Sequence, residues 1–167
     1  MKKIILGLTA VVGITLGGCL KQDKSICKYD PCLYKAPAEE IAAVEHYLDS
    51  VGITATEHCS GMYYKVIDPG TGNSPQDICA TVGVRYTGSL ADGTVFETQS
   101  QTVNFQLGTI IEGWKKGIPL MKAGGRFIFY IPPALAYGSN AIKDREDNVI
   151  IPANSMLIFD VQLMGVY

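Results

Sequence analysis

Basic clusters are scarce in this chain. Its 14 Lys and Arg residues form no block interleaved with aromatics, which excludes an ordinary nucleic-acid surface. Histidine is scarcer, with only two, His46 and His58, each isolated. No His/Cys set has zinc spacing, so no metal or other cofactor is expected, and each histidine reads as a surface or capping residue. No Cys-x-x-Cys occurs, and Cys27-Lys-Tyr-Asp-Pro-Cys32 is too widely spaced for that redox motif, which argues against a thiol oxidoreductase. No apolar run reaches the roughly 20 residues that a membrane-crossing helix needs. Tryptophan occurs once, at Trp114, in the glycine-interrupted stretch Ile110-Ile111-Glu112-Gly113-Trp114. What is abundant is apolar: 47% of the 167 residues, against 18% charged, which excludes wholesale disorder and suffices for one core plus a tail.

The N-terminus has the form of an export signal. Lys2 and Lys3 precede the apolar stretch Ile4 to Leu16, and small residues follow. Leu16-Gly17-Gly18-Cys19 looks like a bacterial lipobox, which implies cleavage before Cys19 and lipidation of that cysteine; Leu20 after it favours the outer membrane. Removal of the leader leaves 12 basic against 16 acidic residues, a net charge of -4. Four cysteines then remain, Cys27, Cys32, Cys59 and Cys79, an even number that suits two disulfides in an exported chain. Spacing leaves three pairings open; proximity in sequence favours Cys27 with Cys32 and Cys59 with Cys79.

The organisation follows from pattern changes. Residues 1–18 read as a lipoprotein signal peptide, 19–36 as a polar tether, 37–60 as an N-terminal helical extension and 61–167 as the main domain. Pro37, Glu39 and Glu40 suit a helix start and Gly52 a stop, with Ile41, Val44, Leu48 and Val51 on one stripe. That stripe docks either on the following domain or on a second copy of the chain, so monomer and homodimer both stay open. Beyond Gly61 short strands and turns take over. In Ile78-Cys79-Ala80-Thr81-Val82-Gly83-Val84-Arg85-Tyr86 the apolar residues alternate with the rest, the period of a half-buried strand. Ala91-Asp92-Gly93 reads as a tight turn and Val103 to Gly108 as a short strand. Arg126 to Pro133 is apolar on both faces, hence a central strand ended by proline. Leu157, Phe159, Val161 and Leu163 share one face of the closing strand. A short helix is expected at 110–118. The fold class is α+β: an antiparallel sheet around a short helix, preceded by an amphipathic helix.

Several short segments then form a series. They are Val84-Arg85-Tyr86-Thr87-Gly88, Asp92-Gly93-Thr94-Val95-Phe96-Glu97, Phe105-Gln106-Leu107-Gly108, Ile110 to Trp114, Ile131-Pro132-Pro133, Ala136-Tyr137-Gly138, Ile150-Ile151-Pro152 and Phe159-Asp160. Their order and spacing resemble the FKBP-type peptidyl-prolyl cis-trans isomerases over roughly 61–167. The resemblance implies an antiparallel sheet wrapped on a short helix with a ligand pocket between them. Trp114 is implied as the pocket floor. Tyr86, Phe96, Phe105, Ile110, Ile111, Tyr137, Ile150 or Ile151, and Phe159 are implied as walls and rim, and the Ile111 N–H and Tyr137 hydroxyl as donors to substrate carbonyls. Val103 stands where the family often has another aromatic. Glu97 replaces the family's usual Asp with the same charge on a longer arm, so its hydrogen bond to the pocket tyrosine or to a ligand is expected to shift. Macrolide inhibitors are therefore expected to bind more weakly than to standard members. The charged loop Ser139 to Val149 is expected either as solvated surface or as an element selecting substrates by charge.

The activity implied is prolyl isomerisation of exported polypeptide clients by a lipid-anchored, extracytoplasmic protein. The alternative is a binding module or holdase chaperone that has kept the fold and lost turnover. Apolar residues suffice for the reaction: the barrier to rotation of a peptide bond is about 20 kcal/mol, and a dry pocket penalises the polar planar amide more than the twisted one. The sequence offers no nucleophile, metal site or acid–base pair for another route.

Overall fold

A computed structural model describes residues 27–167. The export signal and Cys19 lie outside the described residues. Among those described, no helix is long and apolar enough to cross a membrane.

Helix α1 (Ala38–Ser50) begins directly after Pro37, with Glu39 and Glu40 in its first turn where the helix dipole favours acids. Val44 and Leu48 are buried against Tyr63 and Tyr130, and Ile41 packs beside them. The Tyr63 hydroxyl donates to Glu45 at 2.5 Å, and Glu40 accepts the Ala134 N–H at 2.8 Å. The apolar stripe is thus covered within the chain itself. Val51 departs from the expected stripe: it lies past the last helical turn and is 47% exposed.

Strands β1 (Thr56–Glu57), β2 (Tyr63–Asp68), β3 (Thr81–Leu90), β4 (Val95–Gln106), β5 (Arg126–Ile131) and β8 (Leu157–Val166) form one antiparallel sheet in the order β1-β2-β5-β8-β3-β4. β6 (Ile142–Lys143) and β7 (Val149–Ile151) make a separate hairpin. The alternation read from sequence is visible in β8, whose Leu157, Phe159, Val161 and Leu163 all point into the core. β5 is an inner strand, as its two apolar faces require. β3 starts at Thr81 rather than Ile78, because residues 77–80 form a turn in which Asp77 accepts the Cys79 N–H. The Asp92 turn joins β3 to β4 through Thr94, whose N–H donates to the Asp92 carboxylate at 2.8 Å. β4 is far longer than the expected strand near 103–108, since its polar first half still pairs with β3, with register shifts at Val84/Tyr86 and Gly88/Ser89.

Helix α2 (Glu112–Gly117) continues as a 3₁₀ turn, Ile118–Leu120. Gly113 and Gly117 explain how it lies so close to β5. A Cβ at Gly113 would stand 2.6 Å from the Ile131 side chain, and one at Gly117 would stand 2.7 Å from the Phe129 ring. With both positions flush on the sheet, Trp114 is turned sideways along it. That is why the largest side chain sits between glycines.

The segment from Cys27 to Ala36 is bound to the domain, which corrects the expected tether over the part described. Cys27 pairs with Cys79 and Cys32 with Cys59, and Ala36 is buried at 5% exposure. The neighbour pairings favoured by sequence proximity are therefore not the ones formed. Sequence proximity carries no weight here because the segment crosses α2, placing each of its cysteines beside a different loop. His58 is half-buried and accepts the Ser60 N–H at Nδ1, closing a local turn, whereas His46 is exposed on α1.

Candidate active site

A cleft of about 560 Å³ opens between α2 and the sheet. Trp114, Tyr86 and Phe159 form its interior; Phe105, Val103, Ile110, Ile111 and Tyr137 form walls; and Glu97, Gln99 and Thr109 stand at its polar rim. Three strands and one helix contribute. The strands do so by alternation: on β3 Tyr86, on β8 Phe159, and on β4 residues 103 and 105 and, beyond the register shift between Val103 and Gln99, residues 97 and 99.

Trp114 is 4% exposed yet borders the opening. Its indole meets Tyr86 at 4.9 Å and 89°, Phe159 at 5.2 Å and 78°, and Phe105 at 5.9 Å and 83° between ring centroids and planes. These are edge-to-face contacts, each contributing about 0.5–1.5 kcal/mol beyond simple burial. Four aromatic rings thus pack on one another edge to face, so the floor is formed before any ligand arrives. The indole N–H is buried and has no hydrogen-bond partner among the described residues.

The phenols are shielded in the same way. Burial, then the Glu97 carboxylate, push Tyr86 well above the usual phenol range; burial followed by Glu97 also raises Tyr137. Both hydroxyls therefore stay protonated and available as donors at any physiological pH. Glu97 itself is exposed, and its carboxylate accepts a bond from Gln99 at 3.3 Å. Ile111 is the residue immediately before α2, so its N–H lies outside the intrahelical ladder.

The cleft gathers Tyr86, Glu97, Phe105, Ile110, Ile111, Trp114, Tyr137 and Phe159 from the residues singled out in the sequence. Three others stand elsewhere. Phe96 lies behind the wall, edge-on to Phe159 at 5.6 Å. Ile151 is a core residue at 3% exposure, while Ile150 is 37% exposed and faces away, as neighbouring residues on β7 must. Neither isoleucine lines the cleft. Gln99 and Thr109 were not expected; Gln99 could have been found by extending the alternation of β4 back from Phe105. The charged loop 139–149 satisfies itself: Lys143 pairs with Asp147 at 2.9 Å, and Asp144 accepts the Glu146 and Asn148 N–H groups.

Comparison with known proteins adds the family. Residues 72–164 match the family described as "FKBP-type peptidyl-prolyl cis-trans isomerase". An "FKBP-type peptidyl-prolyl cis-trans isomerase FkpA" from Aeromonas hydrophila is 40% identical over 120 residues, 69% of this chain and 41% of that protein. An "Outer membrane protein MIP" from Legionella longbeachae is 39% identical over 110 residues, 64% of this chain and 45% of that protein. A crystal structure of a peptidyl-prolyl cis-trans isomerase from Pseudomonas syringae superposes with a TM-score of 0.65 at 30% identity, covering 79% of this chain and 97% of that one. The matched region spans less than half the length of the two relatives named from sequence.

Proposed function

The chain belongs to the FKBP-type peptidyl-prolyl cis-trans isomerases, and we propose that it catalyses rotation about Xaa-Pro bonds in polypeptide clients outside the cytoplasm. The observation that carries this is the cleft: a largely aromatic hollow with Trp114 as its floor and Tyr86 and Phe159 set against it. A prolyl ring enters between Trp114, Tyr86 and Phe159 and displaces water from the amide. The planar amide is the more polar state because nitrogen shares its lone pair with the carbonyl. Water loss disfavours that state, and rotation ends the sharing.

Magnitudes decide which groups matter. An acceleration of about a million-fold needs roughly 8 kcal/mol. One neutral hydrogen bond contributes only about 0.5–1.5 kcal/mol. The Ile111 N–H and the Tyr137 hydroxyl therefore orient the substrate carbonyls, while shape and dryness carry most of the rate. A protease-coupled assay on an Ala-Leu-Pro-Phe peptide tests the proposal. The expected result is a cis-to-trans rate proportional to protein concentration; a rate equal to background would leave only a binding module or holdase.

Glu97 bears on inhibitors. Its carboxylate reaches the electrostatic surroundings of both cleft tyrosines while its own side chain is exposed at the rim. Macrolide binding followed through Trp114 fluorescence is expected to be weaker than nanomolar, and Glu97→Asp should tighten it. A nanomolar Kd for the unaltered chain would contradict this role.

The extracytoplasmic assignment is supported by the two disulfides, which oxidising compartments favour, and by the lipobox-like Leu16 to Cys19. Acylation of Cys19 would anchor the protein, each buried methylene contributing about 0.8 kcal/mol. Cell fractionation is expected to find the protein with the outer membrane, the location in the name of the relative MIP, and Cys19→Ala in the soluble fraction. Equal membrane recovery of both would refute the anchor.

A further inference from the structure

The side of α2 turned away from β5 is not covered by the sheet. It borders a second hollow of about 370 Å³, lined among others by Tyr29, Pro31, His58, Ile78, Lys116 and Pro119. The N-terminal strap, Cys27 to Ala36, reaches α2 across this space through Tyr29. Between its two disulfides the strap presents Tyr29. The Tyr29 hydroxyl donates to Glu112 Oε2 at 2.6 Å and accepts from Lys116 Nζ at 2.5 Å. The ring also stands 4.8 Å from that ammonium.

Lys116 makes this contact consequential. Its side chain is wholly buried, and beside the neutral Tyr29 hydroxyl its charged partner is Glu112 Oε2 at 3.3 Å. A buried ammonium needs pairing and hydrogen bonds to be tolerated. If the hydroxyl is deleted, Lys116 keeps one longer contact, and Glu112 loses one of its donors. Both residues belong to a helix of six residues, too short to hold its own position. Glu112 follows Ile111 in the chain, and Trp114 lies between Glu112 and Lys116. A small shift of this helix therefore moves the cleft floor and the rim donor together.

We propose that Tyr29 is a positioning residue of the cleft: the disulfide-held strap seats α2 through Glu112 and Lys116, and so sets where Trp114 and the Ile111 N–H stand. The strap lies outside the family-matched stretch 72–164, so this support is a feature of the chain's own N-terminal segment. The proposal rests on the isomerase reading for its kinetic consequence, but not for its structural one.

Tyr29→Phe tests it, because the ring and the cation–π contact stay and only the hydroxyl goes. With the disulfides intact, kcat/KM on the Ala-Leu-Pro-Phe peptide should fall roughly fivefold, within the range that indirect couplings reach. The emission maximum of Trp114, the only tryptophan, should shift in the folded protein. Tyr34→Phe, on the same strap but half exposed, should change neither reading. Tyr29→Phe with unaltered turnover and unaltered emission overturns the proposal. So does a lower Tm with both readings unaltered well below the transition, which would make Tyr29 a stabilising contact only. Should the unaltered chain show no turnover, the isomerase reading fails by itself. The Trp114 emission of Tyr29→Phe then decides: a shift supports the seating of α2 and no shift refutes it.

Discussion

Trp114→Leu is expected to lower kcat/KM for Xaa-Pro isomerisation by tenfold or more while the chain still folds. The indole holds three edge-to-face contacts, to Tyr86, Phe159 and Phe105, and leucine keeps none of them. Truncating a buried aromatic to alanine costs about 3–5 kcal/mol, and leucine, which refills part of the space, should cost less. The domain retains the rest of its core, including Phe129, Ile131 and Leu157 at 0% exposure, so folding survives. Catalysis is hit harder in relative terms, because tenfold in rate needs only about 1.4 kcal/mol. Without the floor, the prolyl ring loses its face contact and water reaches the amide, which removes the differential on which the rate depends. The measurement is the protease-coupled rate alongside a thermal melt by circular dichroism. Loss of activity in a folded variant is the expected pattern; unaltered kcat/KM would show that the indole is only core filling.

Removing the disulfides should produce the largest change in stability. Cys27–Cys79 spans 52 positions and Cys32–Cys59 spans 27, the second loop nested in the first. Loop-closure entropy assigns about 4 kcal/mol to the longer bridge alone and about 3.5 kcal/mol to the shorter. Nesting makes the pair less than additive, since closing one loop already shortens the other. For a domain of this size each kilocalorie moves Tm by a few degrees, so Cys27→Ser with Cys79→Ser should lower Tm by roughly 10 °C. Non-reducing peptide maps of the unaltered protein should link Cys27 to Cys79 and Cys32 to Cys59. A Tm lowered by less than about 2 °C in the double variant would mean that the bridge contributes little to holding the strap.

Much of the fold was legible because strands announce themselves through alternation. Val82, Val84 and Tyr86 on β3, and Leu157 to Leu163 on β8, are buried on one face as their spacing requires. The helix over 37–51 was legible from Pro37, its early acids and its apolar stripe. The cleft was legible where a residue's own strand or helix determines its direction, as for Tyr86, Trp114 and Phe159. It was not legible where direction depends on a neighbour one position away. Ile150 and Ile151 were interchangeable in sequence, and only the β6–β7 hairpin decides that Ile151 faces the core. Phe96, implied as wall or rim, packs edge-on against Phe159, a contact its own strand position does not reveal. The polar half of β4 carried no apolar signal, which hid Gln99 among the rim residues.

The disulfide partners and the Tyr29 contact were out of reach for a different reason. Both join positions far apart in sequence, 83 residues for Tyr29 and Glu112. No local pattern encodes such a meeting. Lys116 reads as one more solvated lysine after Lys115, until the strap is seen to bury it. Composition and periodicity describe faces; they do not say which face another segment of the chain will cover.

The central claim is that an apolar, preformed cleft, with no reactive group, turns the peptide bond. Two-dimensional NMR exchange spectroscopy on a proline peptide at cis/trans equilibrium tests it without a coupled protease. Catalytic amounts of the unaltered protein should produce exchange cross-peaks between the cis and trans resonances on a sub-second timescale, and Trp114→Leu should strongly diminish them. Absence of cross-peaks with the unaltered protein, or equal intensity with both, would contradict the account.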